Sequence, residues 1–357
     1  MPRRDAGTSQ VASVYGFDVH DPRCRGAASV TDARAAHRPT PQREAMTGFR
    51  RLYALLIATL VLLGGTACAT RPEPQVQAPV DDPAAAFPAK VELPGQEPVT
   101  LTQQPKRIVS LSPSATESLY AIGAGDQVAA VDSSSNYPPE APRTELNSLE
   151  ADAASIGAQD PDLVIAPDSA TDLAEGLRAV DVPVLLTPAP DSLDGVYEEI
   201  KTLGKATGNT SRAQRVVDDM RGKIADIVRE TPKPPEQLSY FHEVSPDYYT
   251  TTSRSFLGNI YAEFGLRNIA DDAPGDFPQL SEEQVVRANP DLIFLADGRC
   301  CQTSPESVGQ RPGWRTISAV RDGNVVPLDD DISGRWGPRV VDLVREVSRG
   351  VSGAQQR

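Results

Sequence analysis

Histidine, tryptophan and cysteine are scarce in this chain, with three His, two Trp and four Cys among 357 residues. His20 and His37 lie ahead of a signal-like segment, so His242 alone remains for the body of the protein, and one histidine cannot build a multi-histidine metal cage. Cys24 lies in that same leading stretch and Cys68 closes the signal-like segment, which leaves the adjacent pair Cys300 and Cys301. Their Cα atoms are ~3.8 Å apart, below the usual disulfide range, so a bond between them is strained and reducible. An oxidising compartment favours forming it, and the pair reads equally as two thiols or as a vicinal disulfide. The Gly-x-Ser-x-Gly of a hydrolase elbow is missing: Ser112 and Ser114 are flanked by Leu, Pro and Ala, with only His242 to serve as base. A phosphate cradle is missing too, because Gly123-Ala-Gly125 follows a helical pattern instead of opening one.

Met46 to Cys68 carries two arginines, an apolar core from Leu52 to Leu63, small residues and a cysteine. That is a secretory signal, too short for a spanning helix. Its end resembles a lipobox, with Gly65 where leucine is usual, and marks Cys68 as the lipidated first residue. Translation from Met46 accounts for residues 1–45, a polar leader expected to be disordered or never made. Residues 1–67 hold nine Lys or Arg and five Asp or Glu of the chain's 35 and 49, leaving 26 and 44, so the export segment is +4 and the remainder −18. Such an acidic surface excludes nucleic acid as a partner. Residues 69–105, rich in Pro, Gln and Ala, read as a tether with one edge strand near Ala89 to Val91.

From Lys106 short apolar strands alternate with helices. RIVSL, Val128 to Asp132, Pro161 to Asp168 and Val182 to Pro188 form one series; Leu238 to Glu243, Pro290 to Asp297 and Asn324 to Asp330 form another. This argues for two α/β lobes, each with a parallel sheet covered on both faces: an N-terminal lobe over 106–208 and a C-terminal lobe over 233–352. Residues 160–168 (DPDLVIAPD) echo 289–297 (NPDLIFLAD). Between the lobes, 209–232 holds the longest amphipathic pattern, with Ala213, Val216, Val217, Met220, Ile224, Ile227 and Val228 on one face of a helix over Thr210 to Glu230. At 1.5 Å per residue it is ~30 Å long, enough to act as a single stiff strut. Ser114-Ala-Thr-Glu117 reads as a capping box. The corner at Ser112 to Ser114 is then a strand end facing a cleft, where open α/β sheets bind ligands.

RIVSLSPSATESLYAIGAGDQVAAVD, NYPPEAP, PDLVIAP, LGKATG, FPQLSEEQVVRANPDLIFLAD and RPGWRTISAVRDGNVVPLDDDISGRWGPR resemble, from about Arg107 to Val351, the iron-chelate and cobalamin class of ABC-importer substrate-binding proteins. The resemblance implies two Rossmann-like lobes joined by one long α-helix, the class III periplasmic binding protein fold. It also implies a cleft for a metal chelate (cobalamin or another corrinoid, a ferric siderophore or haem) carried as cargo, without catalysis, resident metal or cofactor. The expected partners are an ABC permease and, through the lipid anchor, the outer face of the cytoplasmic membrane, with the protein a monomer.

Cleft candidates are Ser114, Ser134, Tyr137, Pro138, Asp168, His242, Glu243, Tyr248, Tyr249, Arg299, Arg335 and Trp336. Tyr137 with Pro138 offers an apolar ledge to a flat macrocycle. Arg299 and Arg335 suit an anionic siderophore, and His242, Tyr137, Tyr248 or Tyr249 an axial site on haem. Ser134, Pro167 and Glu243 stand where cobalamin binders place aromatics, a departure from that branch. Each candidate has a structural reading beside the functional one: His242 and Glu243 as strand-end caps, one of Tyr248 and Tyr249 packed under its loop, Trp336 as a wedge, and Asp329 to Asp331 as solvated loop. For permease docking the family uses one glutamate per lobe. Glu283 matches in the C-terminal lobe, whereas Ala154 holds the matching N-terminal position and Asp152 or Glu150 substitutes for it. Two other readings remain: an extracytoplasmic thiol- or metal-handling enzyme or chaperone using Cys300-Cys301 and His242, or an orphan sensor or adhesin with the same fold.

Overall fold

The computed structural model describes residues 86–355; the expected leader, the signal segment with Cys68 and the tether up to residue 85 lie outside the described residues. Two four-stranded parallel sheets organise them, one on each side of a long helix. In chain order the strands are β1 (Ala89–Val91), β2 (Val99–Leu101), β3 (Ile108–Ser110), β4 (Val128–Val131), β5 (Leu163–Pro167), β6 (Val184–Thr187), β7 (Ser239–Glu243), β8 (Arg267–Asn268), β9 (Leu292–Leu295) and β10 (Val325–Pro327). The helices are α1 (Pro113–Ala121), α2 (Ala153–Gly157), α3 (Thr171–Arg178), α4 (Leu193–Thr207), α5 (Thr210–Glu230), α6 (Phe256–Glu263), α7 (Glu282–Ala288), α8 (Gly298–Cys301), α9 (Pro305–Val308), α10 (Ser318–Arg321), α11 (Asp330–Ser333) and α12 (Val340–Ala354).

The N-terminal sheet runs β4-β3-β5-β6 and the C-terminal sheet β10-β9-β7-β8, so both have the same order once each lobe's strands are counted from its own first. The nearly unbroken apolar strands, such as Leu163 to Ala166 and Leu292 to Leu295, are buried throughout because helices cover both faces. The strut spans the predicted residues, Thr210 to Glu230, burying Ala213, Val217, Met220 and Ile224. It packs on α4 of the first lobe and α12 of the second. At Gly204 a Cβ would lie 2.4 Å from that of Ala213, so only glycine allows α4 and α5 to approach this closely. One apolar cluster runs through the strut, from Ile108 and Leu119 in the first lobe to Tyr240, Leu292 and Val344 in the second.

Two sequence readings change. Residues 89–101 are not tether: β1 and β2 form an antiparallel hairpin that buries Val91 and Leu101 in this cluster. Ser114 is not the cap of α1: Ser112 is, its Oγ accepting from the Ala115 amide at 3.3 Å. Pro113 then occupies the first helical turn, where its missing N–H costs nothing.

Candidate functional site

The loops that leave the C-terminal ends of the strands meet at a seam between the lobes. Glu117, its side chain 1% exposed, sits on α1 and receives two arginines from the other lobe. Arg339 donates through Nε to Oε2 at 2.9 Å and through Nη2 to Oε1, and Arg335 Nη1 reaches Oε1 at 3.2 Å. Arg335 also donates to Asn136 Oδ1 at 2.7 Å, to the Ser134 carbonyl at 2.9 Å and to Asp331 Oδ1 at 2.9 Å. Asn136 closes the ring by donating to Asp331 Oδ2 at 3.0 Å. Backbone joins too, since the Trp336 amide donates to Ser114 Oγ at 3.2 Å. Gly337 packs closely here: a Cβ would lie 3.2 Å from the Ser114 carbonyl, so a larger residue would press on the seam. The Trp336 ring meets Phe256 edge-on at 5.8 Å.

Tyr137 stands on this seam. The Arg339 guanidinium covers its ring at 4.2 Å from the centroid, yet the residue is 43% exposed. Pro138 behind it is buried. The ring is thus held by a cation on one side and offered on the other. Arg299 is exposed but bound, Nη2 to Asp329 at 3.2 Å and Nη1 to Asp331. The aspartates are not a solvated loop: Asp329 caps α11, Asp330 Oδ2 accepts the amides of Arg299 and Cys300, and Asp331 joins Arg299, Arg335 and Asn136. Among the described residues, no group of three His, Cys, Asp or Glu is placed to hold a metal ion.

Deeper in the C-terminal lobe lies a second charge cluster. Glu243 is 0% exposed and accepts both Nη atoms of Arg311, at 2.6 and 2.5 Å. Arg311 lies over Trp314 at 4.6 Å and Tyr248 at 5.4 Å, and those rings stack at 5.7 Å. This packing holds Tyr248 in the left-handed region, φ 66°, which is costly for an aromatic residue. Asp297, also 0% exposed, accepts from Thr303 Oγ1 at 2.8 Å. Burial, then the charge of Glu243, pushes its carboxyl up to about 8, so it is largely protonated at neutral pH. His242 is 1% exposed with Nδ1 2.7 Å from the Tyr261 hydroxyl, and burial pushes its pKa down to about 3. The ring is neutral and enclosed by the core, without a face for cargo or for an enzymatic base.

The sequence candidates therefore fall into separate places. Ser114, Ser134, Tyr137, Arg335 and Trp336 gather at the seam, with Arg299 joined to them through Asp331. His242 and Glu243 lie inside the C-terminal lobe, and Asp168 is exposed at the end of β5. Tyr248 faces a groove of about 610 Å³ shared with Glu282 and Gln284 of α7, on the flank that carries Glu283; Tyr249 is half-buried beside it, bridged to Gln279. Glu283 is exposed in the first turn of α7. Asp152 is exposed but caps α2, accepting from the Ser155 amide at 2.8 Å, and Glu150 is exposed. Sequence reasoning missed Glu117, Asn136, Arg311, Asp331 and Arg339. For Glu117 the sequence holds no local signal, since its burial and its two distant arginines appear only in the fold.

Comparison with known proteins agrees with this architecture. A family model described as periplasmic binding protein matches residues 108–332. An ABC transporter substrate-binding lipoprotein of Bacillus subtilis is 32% identical over 307 residues, covering 84% of this chain and 95% of that protein. Among solved structures, the periplasmic haem-binding protein of Roseiflexus sp. RS-1 superposes with a TM-score of 0.62 at 27% identity, covering 71% of this chain and 100% of that one. The periplasmic vitamin B12-binding protein of Vibrio cholerae gives 0.60 at 28%, covering 71% and 98%. With two like-ordered parallel sheets on one connecting helix and a family match across both, the chain belongs to the periplasmic binding protein family, whose members bind solutes and are not enzymes.

Proposed function

We propose that the protein captures a metal chelate at the seam between its lobes and delivers it to an ABC import permease, anchored outside the cytoplasmic membrane by lipid on Cys68. Among chelates, a neutral or cationic flat macrocycle of the corrinoid type fits best. The carrying observation is charge pairing: Arg299, Arg311, Arg335 and Arg339, the arginines of the strand-end loops described above, each pair with a carboxylate. An anionic siderophore would need one of them released, and release of Arg311, Arg335 or Arg339 takes charge from a buried acid, Glu243 or Glu117. The open face of Tyr137 supplies a ledge for an apolar ring system. Relatives named for vitamin B12 binding, such as that of Vibrio cholerae at 29% identity over 262 residues, support the same choice. Release to the permease is read as a shift between unliganded and liganded states of small amplitude, given the strut and the shared core.

The test is titration of the purified chain with cobinamide, cobalamin, haem and an anionic ferric catecholate, followed by Tyr and Trp fluorescence. Corrinoid binding at micromolar or tighter affinity, with the ferric catecholate at least tenfold weaker, is the expected result. Tighter binding of the anionic chelate would overturn the corrinoid choice and leave the family intact.

A further inference from the structure

We propose that Cys300 and Cys301 form a thiol–disulfide exchange site on the cargo-side loops, its oxidation state acting on the seam between the lobes. The two Sγ atoms lie 2.6 Å apart, Cys301 exposed and Cys300 half-buried. Burial raises the Cys300 thiol well above its usual range, with Cys301, Asp330 and Asp297 adding to the effect. That divides the roles, since thiolate is the attacking species and access sets which sulfur is reached first. Cys301 attacks an incoming disulfide RS–SR, forming the mixed disulfide Cys301–S–SR and releasing RSH. Cys300 then attacks the Cys301 sulfur, and the second RSH leaves with its proton. Both electrons pass to the incoming disulfide, which a small molecule or an oxidoreductase supplies outside the cytoplasm.

The site is wired to the seam through one carboxylate row. Asp330 Oδ2 accepts the amides of Arg299 at 2.8 Å and Cys300 at 3.0 Å, which fixes the turn α8. The Arg299 side chain, between them, holds Asp329 and Asp331. Asp331 in turn holds Arg335 at 2.9 Å and accepts from Asn136 of the other lobe at 3.0 Å. Successive side chains on a helix point about 100° apart, so a bond between Cys300 and Cys301 pulls on α8 and on both amide bonds to Asp330. Oxidation thus loosens the hold of Arg299 on the acid that joins the lobes. No bound chelate is required, so the test stands apart from the cargo assignment.

Full-length protein is incubated with oxidised glutathione, alkylated and digested with trypsin, which frees the peptide from Cys300 to Arg315, the Arg311-Pro312 bond being resistant. The expected product is that peptide two hydrogens lighter and unalkylated. In Cys300→Ser the glutathione adduct accumulates on Cys301; in Cys301→Ser, adduct formation on Cys300 is about tenfold slower than on Cys301. Full alkylation of both cysteines after oxidation would overturn the site, and equal rates in the two variants would overturn the order. Hydrogen exchange reads the coupling: the Arg299 and Cys300 amides exchange about tenfold faster in the oxidised protein and unchanged in the double serine variant treated alike. Unchanged exchange in the oxidised parent would remove the link to the seam.

Discussion

Two segments, 152–168 and 281–297, repeat one another position by position at an offset of 129 residues, and the places where they diverge mark where the lobes have taken different work. Asp152 and Ser281 both cap a short helix, answered by Ser155 and Gln284 in matching capping boxes. Ile156 and Val285 are both fully buried. Asp160 and Asn289 both take left-handed backbone, at φ 52° and 48°. Asp162 and Asp291 each accept the amide of the neighbouring first strand, from Arg107 at 2.9 Å and Ser239 at 2.8 Å. Then the likeness ends. Asp168 is exposed, while its counterpart Asp297 is buried beside Glu243 and Arg311. The N-terminal strand ends are filled by hydroxyls instead: Thr116 Oγ1 lies 2.8 Å from Ser110 Oγ and 3.0 Å from Ser135 Oγ, which donates to Asp132. One lobe pairs its buried Glu243 with an arginine of its own; the other, which also buries Asp132 and Glu199, gives its buried Glu117 to arginines that arrive from its partner lobe.

That contrast is broken most strongly by removing the acids. Glu117→Gln and Glu243→Gln each leave guanidinium charge enclosed without its carboxylate and are expected to cost about 3–5 kcal/mol. Their modes differ. Loss of Glu117 should separate the lobes' denaturant transitions, whereas loss of Glu243 should lower the C-terminal lobe alone; coincident transitions in Glu117→Gln would show that the shared core, not the seam, couples the lobes.

The next effect is a pH dependence, to which the C-terminal cluster contributes through Asp297 and His242. Asp297 has its pKa raised in the fold to about 8, so its contribution is complete below about pH 4 and is lost as pH rises through 8. Glu199 on α4, raised to about 8 by burial, acts in the same direction. His242, lowered to about 3, acts oppositely: its contribution is present above about pH 6.5 and is lost as pH falls toward 3. Asp297→Asn should flatten the decline between pH 5 and 8, gaining on the order of 1 kcal/mol or more at the alkaline end. Asp168→Asn, at the exposed counterpart, should shift stability by less than about 0.5 kcal/mol at any pH in that range. Equal effects in urea titrations of the two variants would contradict the divergence.

A smaller effect concerns the ledge. Tyr137→Ala is expected to weaken corrinoid binding about tenfold while costing about 1 kcal/mol of stability through the lost contact with Arg339. Tyr137→Phe should retain both, because the argument uses the ring and not the hydroxyl; fluorescence titration separates them.

The fold was legible because its signals are local. The strut announces itself by apolar spacing from Ala213 to Val228, and the strands by runs such as Leu163 to Ala166 bounded by Pro and Asp. The hairpin at 89–101 was half legible: its strand Ala89–Val91 was expected, but Val99–Leu101 was not, since a three-residue strand beside Pro has too little pattern to distinguish it from linker. The site was half legible. Tyr137, Arg335 and Trp336 were found from motif positions, but Glu117 was misread, because Ser114 and Glu117 have the spacing of a capping box and nothing local reveals two arginines more than 200 residues away. Long-range pairing of charges has no sequence period, and burial of His242 and Glu243 follows from which strand ends are covered, which only the assembled lobes decide.

The repeat also isolates the smallest effect, at docking. Position 154 of the N-terminal lobe is the counterpart of 283, both lying in the first turn of a capped helix, but one holds alanine and the other glutamate. Ala154 and Glu283 are both exposed, so a partner can reach each, although the Glu283 carboxylate is bonded to its own backbone amide and to Ser281. Glu283→Ala should weaken transporter coupling in a reconstituted uptake assay without changing chelate affinity. Ala154→Glu should strengthen it, by no more than about 1 kcal/mol, the range of an exposed ion pair. Asp152 holds its carboxylate at the cap of α2, two residues before position 154, and Glu150 lies outside the helix. If Glu150→Ala instead abolished coupling while Ala154→Glu changed nothing, the N-terminal lobe would be docking through the loop before α2, and the residue-by-residue likeness of the two lobes would stop short of the permease.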